Sequence, residues 1–128
     1  LGRDEERCRR YCNRAAVLIA DRNGFKEVND SAGHAAGDRL LQKAAEALHS
    51  AARETDLVAR LGGDEFGILA IECDRVGAEA LLDRARTALQ GAGVSAAVGM
   101  AAREPGTGLQ GAWERADLAM YSAKHQQA

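Results

Sequence analysis

Two short apolar segments, residues 56–61 and 66–71, are separated only by Gly62-Gly63-Asp64-Glu65. Four residues leave room for nothing larger than a tight reversal, so the segments are predicted to be the antiparallel strands of one hairpin. Consecutive glycines suit the positive φ of primed turns. Two adjacent carboxylates at the tip are less ordinary, because each raises the cost of ionising the other. A divalent cation removes that cost. The glycines carry no side chain, so a flat base or a phosphate can approach the backbone closely.

The rest of the chain supplies the frame for this hairpin. Residues 15–20, AAVLIA, form a continuous apolar run of the kind buried on both faces. It ends in Asp21, Arg22, Asn23 and Gly24, which favour turns. A polar stretch over 25–37 leads to a helix over 38–52, with Leu40, Leu41, Ala44, Ala45 and Leu48 on its apolar stripe. A second helix is predicted over 76–90, a strand over 94–101, a loop around Pro105, and a last helix over 109–124. The helical spacing of Leu109, Trp113, Ala116 and Met120 makes Trp113 a packing residue. Residues 1–14, dense in charge, read as the end of an N-terminal surface helix. The order strand, helix, strand, strand, helix, strand, helix implies an α+β fold in which helices cover one face of a mostly antiparallel sheet. The 128 residues suffice for one domain with one core. The chain opens with Leu1 rather than Met and is expected to be part of a longer protein.

Composition removes several classes of function. Seventeen basic and 19 acidic residues give a formal net charge of −2, without the basic excess of a nucleic-acid-binding domain, so no DNA or RNA partner is expected. No apolar run reaches the roughly 18 residues of a membrane span, and no signal peptide opens the chain. Three cysteines, Cys8, Cys12 and Cys73, do not make a disulfide framework, and a cytoplasmic location is expected, with the parent protein free to be membrane-anchored. The chain contains no P-loop and no G-x-G-x-x-G after a strand; the Asp21–Lys26 stretch lacks the glycine of a calcium loop. If strand 15–20 lies beside the hairpin, Asp21 and Asp64 converge on one ion, and hard carboxylates near a phosphate suit Mg²⁺. The residues alone leave this open against a solvated turn and a strand-end cap.

The chain resembles the diguanylate cyclase family, the GGDEF domains. The signature Gly62-Gly63-Asp64-Glu65-Phe66 is intact, as is the upstream pattern Phe25, Lys26, Asn29, Asp30, Gly33, His34, Gly37 and Asp38. A third element, Ala116, Asp117, Ala119, Tyr121, Ala123 and Lys124, follows in the family's order. The resemblance implies a GGDEF domain with a nucleotide-cyclase-like, ferredoxin-like core that condenses two GTP into cyclic di-GMP and two pyrophosphates across a homodimer of domains. It implies Mg²⁺ or Mn²⁺ held by Asp21, the backbone carbonyl of Arg22, Asp64 and Glu65, with Asp21, Asp64 and Glu65 as the catalytic acids. Asn29 and Asp38 match the guanine readers, Lys26 and Lys124 the phosphate contacts, and Gly62 and Gly63 the turn against which phosphates lie. Phe25, His34, Arg60 and Phe66 match structural positions near the site, Arg60 through a supporting salt bridge. Arg53-Glu54-Thr55-Asp56 matches the R-x-x-D inhibitory site at which many members bind product, with Arg53 and Asp56 as the contacts. The plain alternative is an Arg–Asp pair capping the helix-to-strand junction.

The chain also departs from the family's pattern. Asn23 replaces a second acid of the first-strand motif, Ala97 a serine, and Ala128 an arginine that contacts phosphate. The family's opening L-T-G-L-x-N-R segment, most of its first helix and its closing strand are missing from these residues. The leading expectation is an active, product-inhibited cyclase domain joined in its parent to an N-terminal sensory or regulatory domain. The competing one is a catalytically silent module that binds GTP or cyclic di-GMP.

Overall fold

The computed structural model describes residues 14–22 and 34–127. Residues 1–13 of the expected N-terminal helix over 1–14, and Asn23, Phe25, Lys26, Asn29 and Ala128, lie outside the described residues. The described chain runs β1 (Ala15–Arg22), α1 (His34–Ala51), β2 (Leu57–Arg60), β3 (Glu65–Ile71), α2 (Arg75–Gly91), β4 (Ala96–Ala102) and α3 (Gly108–Gln127). The strands form one sheet in the order β2-β3-β1-β4, and every neighbouring pair is antiparallel. From β1 to β4 this is the βαββαβ arrangement of a ferredoxin-like core.

Burial explains the position of β1. All six residues from Ala15 to Ala20 are buried, so both faces of the strand are covered. Successive side chains of a strand point to opposite faces, and here the two faces meet different helices. Ala16, Leu18 and Ala20 join Phe66, Ile68 and Ala70 of β3 in a core completed by Leu41 and Leu48 of α1 and Leu81 and Leu89 of α2. Ala15, Val17 and Ile19 instead join Ala97 and Ala101 of β4, with Leu109, Ala112, Ala116 and Met120 of α3. Trp113 packs against this second cluster, as its spacing predicts.

The expectation that helices cover one face is therefore corrected: α1 and α2 lie on one side of the sheet and α3 on the other. The uninterrupted apolar run of β1 requires this, since a strand with one solvated face alternates apolar with polar residues.

At Gly99 of β4 the sheet and α3 approach each other closely. A Cβ there would run into the backbone of α3, at Met120 N and Ala116 O. Backbone atoms in the middle of a packed helix have little room to yield, so this glycine fixes how near α3 sits to the sheet. Replacing Gly99 with alanine is expected to cost about 3 kcal/mol, the upper range for overpacking a core. Urea unfolding of Gly99→Ala beside the unsubstituted protein measures it.

Candidate active site

One end of the sheet gathers the chemistry-bearing residues. Asp21, near the end of β1, lies directly opposite Glu65, the first residue of β3, and opposite Ala97 of β4. Cross-strand partners project to the same face, and this face is the one α3 covers. Lys124, in the last turn of α3, places Nζ 3.1 Å from Asp21 Oδ2, across 103 residues of sequence. Burial pushes the Glu65 carboxyl above its ordinary range, and the negative charges of Asp117 and Asp21 push it further, while Lys124 pulls it down. Asp117 and Lys124 are seven apart on α3, two helical turns, which sets them on one face of that helix.

Asp64 is half-buried and lies one residue before β3, at this same end of the sheet. Arg22 ends β1 opposite Ala96, which places its backbone at the same edge. Among the described residues no three His, Cys, Asp or Glu side chains gather as a ready-made metal cluster. The residues nevertheless fit a magnesium ion, which is commonly held by one or two carboxylates and completed by waters and substrate phosphates. Asp21 and Glu65 supply hard oxygens on one face, and an ammonium already sits against Asp21, so the position attracts a cation.

The hairpin tip is held by its own backbone and by Arg60. Glu65 O accepts from Leu61 N at 2.7 Å and from Gly62 N at 3.3 Å. Arg60 Nε donates to Gly62 O at 3.0 Å and its Nη2 to Gly63 O at 2.9 Å. The support expected of Arg60 as a salt bridge thus takes the form of a clamp on two carbonyls. The expected primed turn is also corrected, because neither Gly62 nor Gly63 has positive φ. A loop of four residues with its carbonyls clamped from outside reverses the chain without left-handed backbone. A Cβ on either glycine would meet nothing within 4 Å. Nothing inside the protein, in space or in backbone conformation, requires glycine here.

On the opposite face of the same sheet end, a cleft of about 380 Å³ opens between α1 and the hairpin. Its lining includes Asp38, Leu41, Gln42, Val58, Arg60 and Phe66. Its size lies at the lower end of the range for small-ligand pockets. The alternation of β3 links cleft and carboxylates: Phe66 belongs to the α1 side and Glu65 to the α3 side. The structure therefore unites Asp38, Arg60 and Phe66 in one place and Asp21, Glu65 and Lys124 in another, with Gly62, Gly63 and Asp64 between them along the chain. His34 opens α1, and its side chain lies outside what is described.

Arg53 and Asp56 form a separate unit at the α1–β2 junction. Asp56 Oδ2 accepts from Arg53 N at 2.8 Å, and Asp56 Oδ1 accepts from Arg53 Nη2 at 3.1 Å. Arg53 Nη2 also donates to Ile71 O, at the far end of β3, at 2.9 Å.

Two contributors escaped the sequence reading. Asp117 was legible only as part of a motif, although its spacing from Lys124 places both on one helical face. Gln42 lines the cleft one turn beyond Asp38, a position that i, i+4 spacing could have nominated.

Comparison with known proteins identifies the family and the fold. The family model described as "Diguanylate cyclase, GGDEF domain" matches residues 1–128. The diguanylate cyclase DgcP of Pseudomonas aeruginosa is 33% identical over 132 residues, covering 94% of this chain and 20% of DgcP. The crystal structure of the diguanylate cyclase SiaD with its activator SiaC, from the same species, superposes with a TM-score of 0.88 at 33% identity, over 98% of this chain and 52% of that one. The GGDEF domain of DgcB from Caulobacter crescentus, in complex with c-di-GMP, gives 0.81 at 26% identity, over 88% of this chain and 73% of that one. The chain spans between 6% and 20% of the length of the curated relatives it matches.

The raised Glu65 carboxyl has a consequence for stability. A group whose folded pKa is raised stabilises the fold while protonated, and that stabilisation is lost as pH rises through its folded pKa. At neutral pH the charged Glu65 is accordingly a burden beside Asp21 and Asp117. Glu65→Gln is expected to gain about 0.5–1 kcal/mol at neutral pH, the usual size of a relieved cross-strand repulsion. The gain should vanish below about pH 4, where carboxyls protonate. Urea unfolding at both pH values tests this.

Proposed function

The chain belongs to the diguanylate cyclase GGDEF family, and from this we propose that it condenses two GTP into cyclic di-GMP with release of two pyrophosphates. The observation that carries the reading is the split of adjacent residues at the start of β3. Phe66 faces the cleft that holds Asp38, while Glu65 faces Asp21 and Lys124. A nucleotide with its base in the cleft and its phosphates over the carboxylates would cross the hairpin tip at Gly62 and Gly63. That crossing supplies the reason for glycine that the protein's interior does not.

In this reading Asp38, together with Asn29, accepts hydrogen bonds from the N–H groups of guanine. Lys124 leaves Asp21 for the phosphates, as Lys26 also contacts them. Asp21, Arg22 O, Asp64 and Glu65 hold Mg²⁺ or Mn²⁺, which when bound offsets the negative charge on the phosphates. Glu65, ionised and made more basic by burial and by Asp117, takes the proton of the attacking 3′-hydroxyl onto its carboxylate. The new O3′–P bond forms at the α-phosphorus as the bond to pyrophosphate breaks. Because each domain holds one GTP, two domains must meet for both bonds to form. His34 and Phe25 keep the structural roles near the site that their match to the family implies.

We further propose that Arg53 and Asp56 make the site at which cyclic di-GMP restrains the enzyme; the cyclic di-GMP in the DgcB complex supports this. A regulatory domain or partner is proposed by analogy with SiaD and its activator. No helix among the described residues is long and apolar enough to cross a membrane.

The test is to incubate the full-length protein with GTP and Mg²⁺ and follow cyclic di-GMP by chromatography. Product is expected, and Asp21→Asn or Asp64→Asn should lower its rate on the order of a hundredfold or more, the scale for removing transition-state electrostatics. GTP binding without product at any protein concentration would establish the silent-module reading instead.

A further inference from the structure

The cleft between α1 and the hairpin offers a base apolar surface but an uneven set of polar groups. Leu41, Ala45, Val58 and Phe66 line it, fit for the faces of a planar ring. The proposed function puts guanine there with Asp38 accepting from its N–H groups. Guanine also carries the acceptors O6 and N7, and an acceptor moved from water to apolar surroundings without a donor costs binding energy. Asp38 cannot meet this need, because an ionised carboxylate has acceptors only.

Three other polar side chains line the cleft: Gln42, His49 and Arg60. Arg60 is committed to the hairpin tip, where Nε and Nη2 hold the carbonyls of Gly62 and Gly63. His49 stands about three turns beyond Asp38 on α1, roughly 16 Å along the helix axis, too far for one base to touch both. Gln42 is one turn beyond Asp38, on the same face of the helix. Its side chain is exposed, and among the described residues nothing engages its amide. That amide supplies two N–H donors. An acceptor followed by a donor along one helix face matches the order of guanine's own edge, where the hydrogens of N2 and N1 lie beside O6.

Resting on the cyclase reading above, we infer that Gln42 is a specificity-determining residue whose side-chain N–H groups donate to O6 of the guanine that Asp38 holds. The two side chains then divide the base edge by sign: Asp38 takes its hydrogens and Gln42 its oxygen. Adenine fails against this pair, since its N1 is an acceptor and would face the Asp38 carboxylate. A site built to hydrogen-bond a group rejects the analogue that lacks it, because its own polar atoms are left unpaired. Gln42 therefore separates guanine from a base altered only at position 6, a distinction that a carboxylate on the N–H groups does not make.

The experiment measures nucleotide binding to the full-length protein by calorimetry, with Mg²⁺ chelated so that nothing is turned over. GTP, inosine triphosphate and 6-thioguanosine triphosphate are compared on the unsubstituted protein and on Gln42→Met, which keeps the side chain's length and removes its donors. Thermal unfolding is recorded for both. The thio analogue keeps the N–H groups of guanine but presents sulfur, a weak acceptor, in place of O6; inosine keeps O6 and loses the N2 amino group. Gln42→Met is expected to bind GTP about tenfold more weakly, the scale of one hydrogen bond with its acceptor left unpaired. The unsubstituted protein should prefer GTP to the thio analogue, and Gln42→Met should bind the two alike. The loss on passing to inosine should be equal in both proteins, because it reports Asp38. Undiminished GTP binding by folded Gln42→Met would overturn the inference, as would a loss that leaves the preference for oxygen over sulfur intact. Equal binding of GTP and the thio analogue by the unsubstituted protein overturns it with no variant needed. Absence of GTP binding by the unsubstituted protein would instead reject guanine as the occupant of the cleft, and the cyclase reading with it.

Discussion

The burial of β1 on both faces is the constraint on which everything else depends. A strand hydrogen-bonded on each edge and covered above and below has no freedom to slide, since a slip of one residue would send its whole apolar set to the wrong helix. Its register therefore fixes where Asp21 emerges from the core. It also fixes Glu65, because β3 is aligned against β1 residue by residue, and it fixes α3, because that helix packs on the odd-numbered side chains of the same strand. Three elements distant in sequence deliver their polar ends to one edge through a single hydrophobic choice.

That edge is electrostatically unfavourable when considered only as part of a fold. Asp21, Glu65 and Asp117 repel one another, and one lysine offsets only part of the repulsion. Natural proteins tolerate such strain where it serves binding, and the proposed cation would relieve the crowding that raises the Glu65 pKa. Lys124 is counterion to Asp21, and the proposed function gives it a second task as donor to phosphate. Asp56 shows the contrary arrangement, a buried carboxylate both of whose oxygens are engaged by Arg53.

Much of this was legible in the residues. The hairpin, the order of elements, the buried first strand and the acids at its end all follow from local patterns whose physical basis is short-range. Three things were not. The helices' distribution between two faces was implied by the run Ala15–Ala20, yet element order alone does not say on which side a third helix lands. The conformation of Gly62 and Gly63 depends on Arg60 reaching around to clamp their carbonyls, and a glycine pair by itself looks the same whether conformation or clearance selected it. The unequal exposure of the Arg53 and Asp56 side chains is a matter of burial, which a four-residue motif does not express.

The contact at Gly99 ties the distance between α3 and β4 to the pairing of Lys124 with Asp21. Lys124 stands one helical turn beyond Met120, whose backbone N–H lies against that glycine, so the helix acts as a rigid arm with its pivot at β4. Lifting the arm by the width of a methyl group would carry the ammonium off Asp21 and change its reach toward a phosphate. Under the proposed function, a residue with no side chain, buried in the edge strand β4, would present in an activity screen as though it touched the nucleotide. Ranking such positions by stability and by activity side by side separates the pivot from the hand it moves.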